Sequence, residues 1–123
     1  MKYAIQVNYA PWQSQGLETA YQFIKAALAR GHHIVRIFFY HDGVLNAGLW
    51  QPAEIRQRWT TLHRDHGIDM VLCISAAQRR GLVNPEVDME AASACGMVEG
   101  FRVAGLALWV DACLQSDRVM VFG

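Results

Sequence analysis

A single thiol stands out in the segment DMVLCISAAQRRG, which covers residues 69–81 and contains Cys73. The residues up to Cys73 form an apolar run typical of a buried β-strand, and small residues follow before Arg79 and Arg80. A thiol reacts as its thiolate, and both a guanidinium group and the unpaired N–H groups at a helix start favour that anion. The segment therefore predicts a nucleophilic cysteine at a strand end, with Arg79 and Arg80 as candidates for stabilising its charge.

Core packing is the alternative role for this cysteine. Free cysteines are among the most buried residue types and behave as small hydrophobic side chains. Arg79 and Arg80 could equally cover a solvent-exposed face or pair with Glu86 and Asp88. The sequence pattern by itself leaves both roles of Cys73 open.

The remaining cysteines, Cys95 and Cys113, form no CxxC pair with each other or with Cys73. An odd number of widely spaced cysteines favours free thiols in a reducing compartment over a disulfide framework. Cys113 has packing spacing from Trp109 on a predicted helix, which indicates a core role. Cys95 is either an incidental exposed cysteine or a second thiol that acts after the first.

Histidines provide the other candidates for proton transfer or metal binding. His41, beside Asp42, follows the second predicted strand and could donate or accept a proton, or make a structural hydrogen bond. His63 and His66 are spaced to share a helix face, but no cysteine or carboxylate completes a ligand set locally. We therefore predict no metal site. We also predict no organic cofactor, because neither GxGxxG nor Walker A is present and a flavin site would depend on fold analogy alone.

The composition fits one globular domain over residues 1–123, with 53% hydrophobic and 18% charged residues. The 11 basic and 11 acidic side chains cancel, which argues against a nucleic-acid or anionic-membrane surface and is compatible with an oligomer. There is no signal-peptide pattern and no apolar run near the roughly 20 residues of a membrane span. We expect a cytoplasmic protein.

Strands and helices alternate along the chain, and the strands are nearly continuous apolar runs. This pattern predicts an α/β, flavodoxin-like three-layer domain with a mainly parallel sheet of four or five strands. In such sheets the functional residues lie at the carboxyl ends of the strands, so Cys73 and His41 are expected at one edge.

Trp12 and Trp50 fall in predicted loops as candidates for a partner interface, while Trp59 and Trp109 have core patterns. Strands are predicted at residues 2–8, 32–40, 68–75 and 117–122, helices at 17–31 and 52–67, and an extended segment that becomes a helix at 101–115.

The segments FFYHDGV, at residues 38–44, and CISAAQRRG, at residues 73–81, resemble the DsrE/TusD family of sulfur-relay proteins. The N-terminal strand, the first helix and the ending SDRVMVFG extend this resemblance over nearly the full length. The resemblance implies a flavodoxin-like fold and a persulfide carried on Cys73. It also implies assembly with related subunits into a heterohexamer that contains two copies of each.

By this resemblance the chain is a sulfurtransferase subunit that receives sulfane sulfur from a persulfide donor protein and passes it to a partner thiol. The family serves dissimilatory sulfur oxidation or 2-thiouridine formation in tRNA, and His41 and Gln78 look nearer to the first branch. Arg79, Arg80 and His41 would support the sulfur anion. The alternatives are a non-catalytic structural subunit of the same assembly and, more distantly, a flavin or nucleotide binder.

Overall fold

A computed structural model describes residues 1–83 and 97–123 of the chain. The expectations for Glu86, Asp88 and Cys95 lie outside these residues. The described chain forms a five-stranded sheet in the order β4-β3-β2-β1-β5, and every neighbouring pair is parallel. The strands are β1 (Lys2–Val7), β2 (His33–Phe39), β3 (Met70–Cys73), β4 (Phe101–Ala104) and β5 (Arg118–Phe122).

Helices connect the parallel strands, as crossover connections require. Gly67 adopts a left-handed conformation with φ of 66° and ends the second helix, as its sequence position predicted. Among the described residues, none of the helices combines the length and the apolar character that a membrane span requires. The helices are α1 (Ser14–Ala29), α2 (Ala53–His66), α3 (Ile74–Arg79) and α4 (Ala107–Gln115).

Adjacent residues of β2 show how the layers are arranged. Phe39 packs edge-to-face against Trp59 of α2, with ring centroids 5.1 Å apart. Phe38 packs against Trp109 of α4 at 6.1 Å. Since successive side chains of a strand point to opposite faces, α2 and α4 cover opposite sides of the sheet. The predicted three-layer α/β architecture with a mainly parallel sheet is therefore confirmed.

Two details differ from the expectations. In flavodoxin the first strand of the chain lies between the second and the third strands, whereas here β1 lies between β2 and β5. The segment after β2, to which the sequence pattern assigned neither a helix nor a strand, is a 3₁₀ helix over His41–Ala47. The amide of Gly43 donates to the carbonyl of Tyr40 (2.8 Å) and that of Gly48 to Leu45 (3.1 Å), which are the short-range bonds of a 3₁₀ turn.

Candidate active site at the carboxyl edge of the sheet

Strands β1, β2 and β3 end at the same edge of the parallel sheet, and the segments that follow them build the candidate site. This carboxyl edge consists of residues 8–13, the 3₁₀ helix and α3. Cys73 is both the last residue of β3 and the N-cap of α3, with φ of −62° and ψ of 120°. The predicted placement of the thiol at a strand end, before a short helix, is confirmed.

Core residues restrict access to this thiol. Cys73 is only 2% exposed, and it belongs to the main hydrophobic core. Ala76 and Ala77, two of the small residues that follow the thiol, are themselves buried in that core. A second protein can reach the sulfur only after a local movement of the surrounding chain.

Gly43 explains why the HDGV segment contains a glycine. A Cβ atom at Gly43 would collide with the carbonyl oxygen of Val7, the last residue of β1. The same carbonyl accepts a hydrogen bond from the amide of Tyr40 at 3.1 Å. The 3₁₀ helix therefore packs directly onto the backbone at the end of β1, at a distance that only glycine permits.

His41 lies at the same edge in a strained conformation. Its φ of 50° is uncommon for a residue other than glycine. Its exposed ring stacks on Tyr40 with centroids 4.0 Å apart and planes 22° from parallel. The structure thus places His41 on the predicted edge, where its imidazole faces solvent on one side and an aromatic ring on the other.

Arg80 has a specific partner that the sequence did not indicate. Its Nε donates to Oδ1 of Asp42 at 2.8 Å, and its Nη1 donates to the carbonyl of Ala76 at 3.2 Å. We call the Arg80–Asp42 pair the latch, because it joins the end of α3 to the 3₁₀ helix. Among the described residues the partner of Arg80 is Asp42, while the pairing with Glu86 or Asp88 that the sequence allowed lies outside them.

Both arginines lie at the end of α3 that is farther from the thiol. Six residues at about 1.5 Å of rise each place Arg79 roughly 9 Å from Cys73 along the helix axis. Arg79 is exposed, and the charge of Arg80 is balanced by Asp42. These positions suit a role in holding α3 in place better than direct contact with a sulfur anion.

Two buried amide side chains, which sequence reasoning missed, organise the loops of this edge. Nδ2 of Asn46 donates to the carbonyls of Tyr9 and Gly43, each at 2.9 Å. Nε2 of Gln51 donates to the carbonyls of Asn46 (2.6 Å) and Gly48 (2.9 Å). The available signal was one Asn and one Gln within the otherwise apolar segment VLNAGLWQPA.

Of the predicted interface tryptophans, Trp12 lies at this edge and Trp50 lies shortly after the 3₁₀ helix. Trp12 is 66% exposed and Trp50 is 60% exposed, and together with Ile55 they line a shallow cavity of about 370 Å³. Trp59 is buried in the core as predicted. Trp109 is partly buried against the core and contacts Phe38.

The remaining predicted residues are separated from this edge or have structural partners. Cys113 lies on α4, where it is half-buried and where burial raises the pKa of its thiol. Nδ1 of His63 is 2.8 Å from the carbonyl oxygen of Ile68, which is a structural contact. In the part of the chain that the structure describes, no group of His, Cys, Asp and Glu residues is arranged to hold a metal ion.

Comparison with known proteins identifies the family of this chain. The sequence profile of the DsrE/DsrF-like family matches residues 1–122. The chain is 46% identical to a protein of Allochromatium vinosum that is named as a sulfurtransferase DsrE, covering 100% of this chain and 99% of that protein. It is 37% identical to the sulfurtransferase TusD of Serratia proteamaculans, with 99% of each chain covered.

A solved structure agrees with this assignment at the level of the fold. The crystal structure of the YchN protein from E. coli superposes with a TM-score of 0.78, at 20% sequence identity, over 99% of each chain. The profile match and the full-length identities are evidence of sequence relationship in addition to a shared fold. They show that this chain belongs to the DsrE/DsrF-like family.

Proposed function

We propose that this chain is a sulfurtransferase that accepts sulfane sulfur as a persulfide on Cys73 and passes it to a partner thiol. The observation that carries the proposal is the position of Cys73, at the end of β3 and the start of α3 on the carboxyl edge. Chemistry in open parallel sheets is concentrated at this edge. Relatives named as sulfurtransferases, similar over their full lengths, support the same reaction class.

The reaction is a thiol exchange in which sulfur atoms and charge balance. The Cys73 thiolate attacks the outer sulfur of a donor persulfide, a bond forms between the two sulfurs, and the donor S–S bond breaks. The donor thiolate leaves with the bonding electron pair, and Cys73 becomes the persulfide. An acceptor thiolate then removes the outer sulfur by the same step and regenerates the Cys73 thiolate. Neither a metal nor an organic cofactor is needed for this sequence.

Intact-mass measurement of the purified chain after incubation with a persulfide donor tests the proposal. We expect a gain of one sulfur that a reductant reverses, that Cys73→Ser abolishes and that Cys113→Ser retains. Circular dichroism establishes that both variants are folded. Full sulfur loading of a folded Cys73→Ser protein would contradict the assignment of the carrier residue.

A non-catalytic structural subunit is the second candidate, and the burial of Cys73 favours it. The two candidates differ in what happens when a donor or a sister subunit binds. A carrier must expose its thiol, so its Cys73 should become alkylated faster in the complex than in the isolated chain. In a structural subunit the rate would stay low and no sulfur would be gained.

The proposed relay requires other proteins, and one surface is suited to them. Apolar side chains project into solvent from α4 and the edge strand β5, which we call the α4–β5 face. Leu114 is 82% exposed. Groups of exposed apolar side chains mark sites of protein–protein interaction. The other exposed members of the face are Leu106, Val110, Val119 and Val121.

We propose that this face contacts related subunits in a heterohexamer with two copies of each. Sedimentation of the co-expressed complex tests it, because Leu114→Asp changes an exposed residue and should dissociate the complex without unfolding the chain.

The proposed relay operates in the cytoplasm, where the free thiols of Cys73 and Cys113 stay reduced. It serves either dissimilatory sulfur oxidation or tRNA 2-thiouridine formation, without direct contact between this chain and nucleic acid.

A further inference from the structure

A second cavity, separate from Cys73, lies between α2 and the segment before β4. Its volume is about 260 Å³, and Arg56, Thr60 and Arg64 of α2 contribute to its lining together with Glu99. Residues four apart on a helix share a face. The two guanidinium groups are therefore directed along the same side of α2, toward one cavity.

Arg56 is half-buried and has one unsatisfied donor. Its Nε is enclosed by protein and has no hydrogen-bond acceptor among the described residues. Within residues 1–83 and 97–123, neither Arg56 nor Arg64 forms an ion pair. An enclosed N–H donor with no acceptor is costly, and an anion in the adjacent cavity would reduce that cost.

The opposite wall of the cavity is held in place by hydrogen bonds. The hydroxyl of Thr60 donates to the carbonyl oxygen of Glu99 at 3.0 Å, and the amide of Val98 donates to the carbonyl of Ala47 at 3.0 Å. The cavity is thus present before any ligand arrives, which reduces the entropic cost of binding. Glu99 is itself a lining residue, and its negative charge opposes an anion, so the ionisable lining residues Arg56, Arg64 and Glu99 carry a net charge of one positive unit.

We propose that this cavity binds a tetrahedral oxyanion of the phosphate or sulfate class. Guanidinium groups bind such oxyanions through paired N–H donors, and they remain charged at every physiological pH. The volume is ample for a small inorganic anion and lies below the range of most sites for larger organic ligands. The site is independent of the proposed sulfur transfer, because none of its residues belongs to the carboxyl edge around Cys73.

Isothermal titration of the full chain with sodium phosphate, sulfate or thiosulfate, at constant ionic strength set with chloride, tests the site. We expect saturable binding of one anion per chain, and the relative affinities of the three salts identify the preferred class. Arg56→Gln and Arg64→Gln should each weaken binding about ten-fold, the effect of losing a charged hydrogen-bond donor. Glu99→Gln should strengthen binding several-fold, because it removes the opposing carboxylate.

Arg30→Gln is the matched control, since it removes an exposed arginine outside the cavity and should leave the affinity unchanged. Arg64 is also exposed, so Arg64→Gln stays informative even if Arg56→Gln unfolds the chain. The absence of saturable binding for all three salts would overturn the proposal. So would equal losses in Arg30→Gln and Arg64→Gln, which would indicate attraction to overall charge, or weaker binding in Glu99→Gln.

Discussion

The two described cysteines lie in regions that are packed in contrasting ways. Cys73 ends a central strand at the carboxyl edge, enclosed by core residues, whereas Cys113 lies on α4 beside the exposed apolar α4–β5 face. Exposure alone would choose Cys113 as the reactive thiol. Yet burial raises the pKa of Cys113, and this cysteine lies towards the end of α4, whereas Cys73 lies at the carboxyl edge. The proposal of Cys73 as the sulfur carrier therefore depends on its place in the fold and not on its accessibility.

The same contrast appears in the backbone packing around the two cysteines. At the carboxyl edge the 3₁₀ helix packs on β1 through Gly43, and the latch joins it to α3. Around α4 there is more room, since a Cβ atom at Gly105 would meet no neighbour within 4 Å. The edge that carries Cys73 is thus closely fitted, and any movement that exposes the thiol must disturb specific contacts.

The largest expected effect tests this difference in packing. Gly43→Ala should destabilise the protein by about 3 kcal/mol, because the new methyl group collides with the Val7 carbonyl and forces the 3₁₀ helix away from β1. Gly105→Ala is the matched control and should change stability by less than about 0.5 kcal/mol. Urea unfolding followed by circular dichroism measures both, and equal unfolding midpoints would show that the two regions do not differ in packing.

The second prediction concerns the network that connects the central strands to α4. Asp69 accepts hydrogen bonds from Nε of Arg36 (2.6 Å) and from Nε of Arg102 (2.8 Å). Arg36 in turn donates to the carbonyl of Leu108 and to Asp111 on α4. Asp69→Asn should therefore cost about 2 kcal/mol at neutral pH, while Asp65→Asn, at an exposed position, should cost little.

The pH dependence of stability provides a further test of this network. Burial by itself raises the pKa of Asp69, but the hydrogen bonds and charges of Arg102 and Arg36 outweigh it and lower the pKa overall. Because the pKa of Asp69 is lower in the folded state, its ionisation stabilises the protein at pH values above the unfolded-state pKa. This stability is lost as the pH falls through the folded-state pKa. Wild type should thus lose stability on acidification from about pH 4 downward. In Asp69→Asn this contribution to the acid dependence should be absent.

Much of the fold was predictable because local patterns specified it. The apolar runs predicted the strands, and Gly67 predicted the end of α2. Because the apolar run after Gly67 ends near Cys73, the position of this cysteine at a strand end could also be predicted. The resemblance carried by the HDGV and CISAAQRRG segments was confirmed by the family match. The expectation of a sulfurtransferase likewise agrees with the names of its full-length relatives.

The remaining features depend on contacts between distant parts of the chain. The pair between Arg80 and Asp42 joins residues 38 positions apart, and no local pattern predicts which carboxylate an arginine will meet. The burial of Cys73 depends on how α3 packs on the sheet. The cavity at Arg56 was missed because both of its arginines fit the polar face of an amphipathic helix, and only the tertiary structure shows that they share a cavity with Val98 and Glu99.

The third prediction compares the two thiols directly. In the isolated native chain, iodoacetamide should alkylate Cys73 at least about ten-fold more slowly than Cys113, which corresponds to a local opening cost of about 1.4 kcal/mol. Mass spectrometry of the alkylated peptides gives both rates, and the difference should disappear in denaturant. Because the pKa of Cys113 is raised, its rate should keep increasing beyond the ordinary thiol pKa. Faster labelling of Cys73 than of Cys113 would contradict the enclosed site.

The smallest expected effect concerns the latch between α3 and the 3₁₀ helix. The pair is partly exposed, so a double-mutant cycle with Arg80→Gln and Asp42→Asn should give a coupling free energy of only about 0.5 kcal/mol. Loosening α3 should nevertheless raise the alkylation rate of Cys73 a few-fold, because the helix that begins at this residue is held at its other end by the latch. Arg79→Gln, which changes the exposed neighbour, is the control and should leave the rate unchanged. If Arg79→Gln raised the rate as much as Arg80→Gln, overall charge rather than the latch would determine access to the thiol.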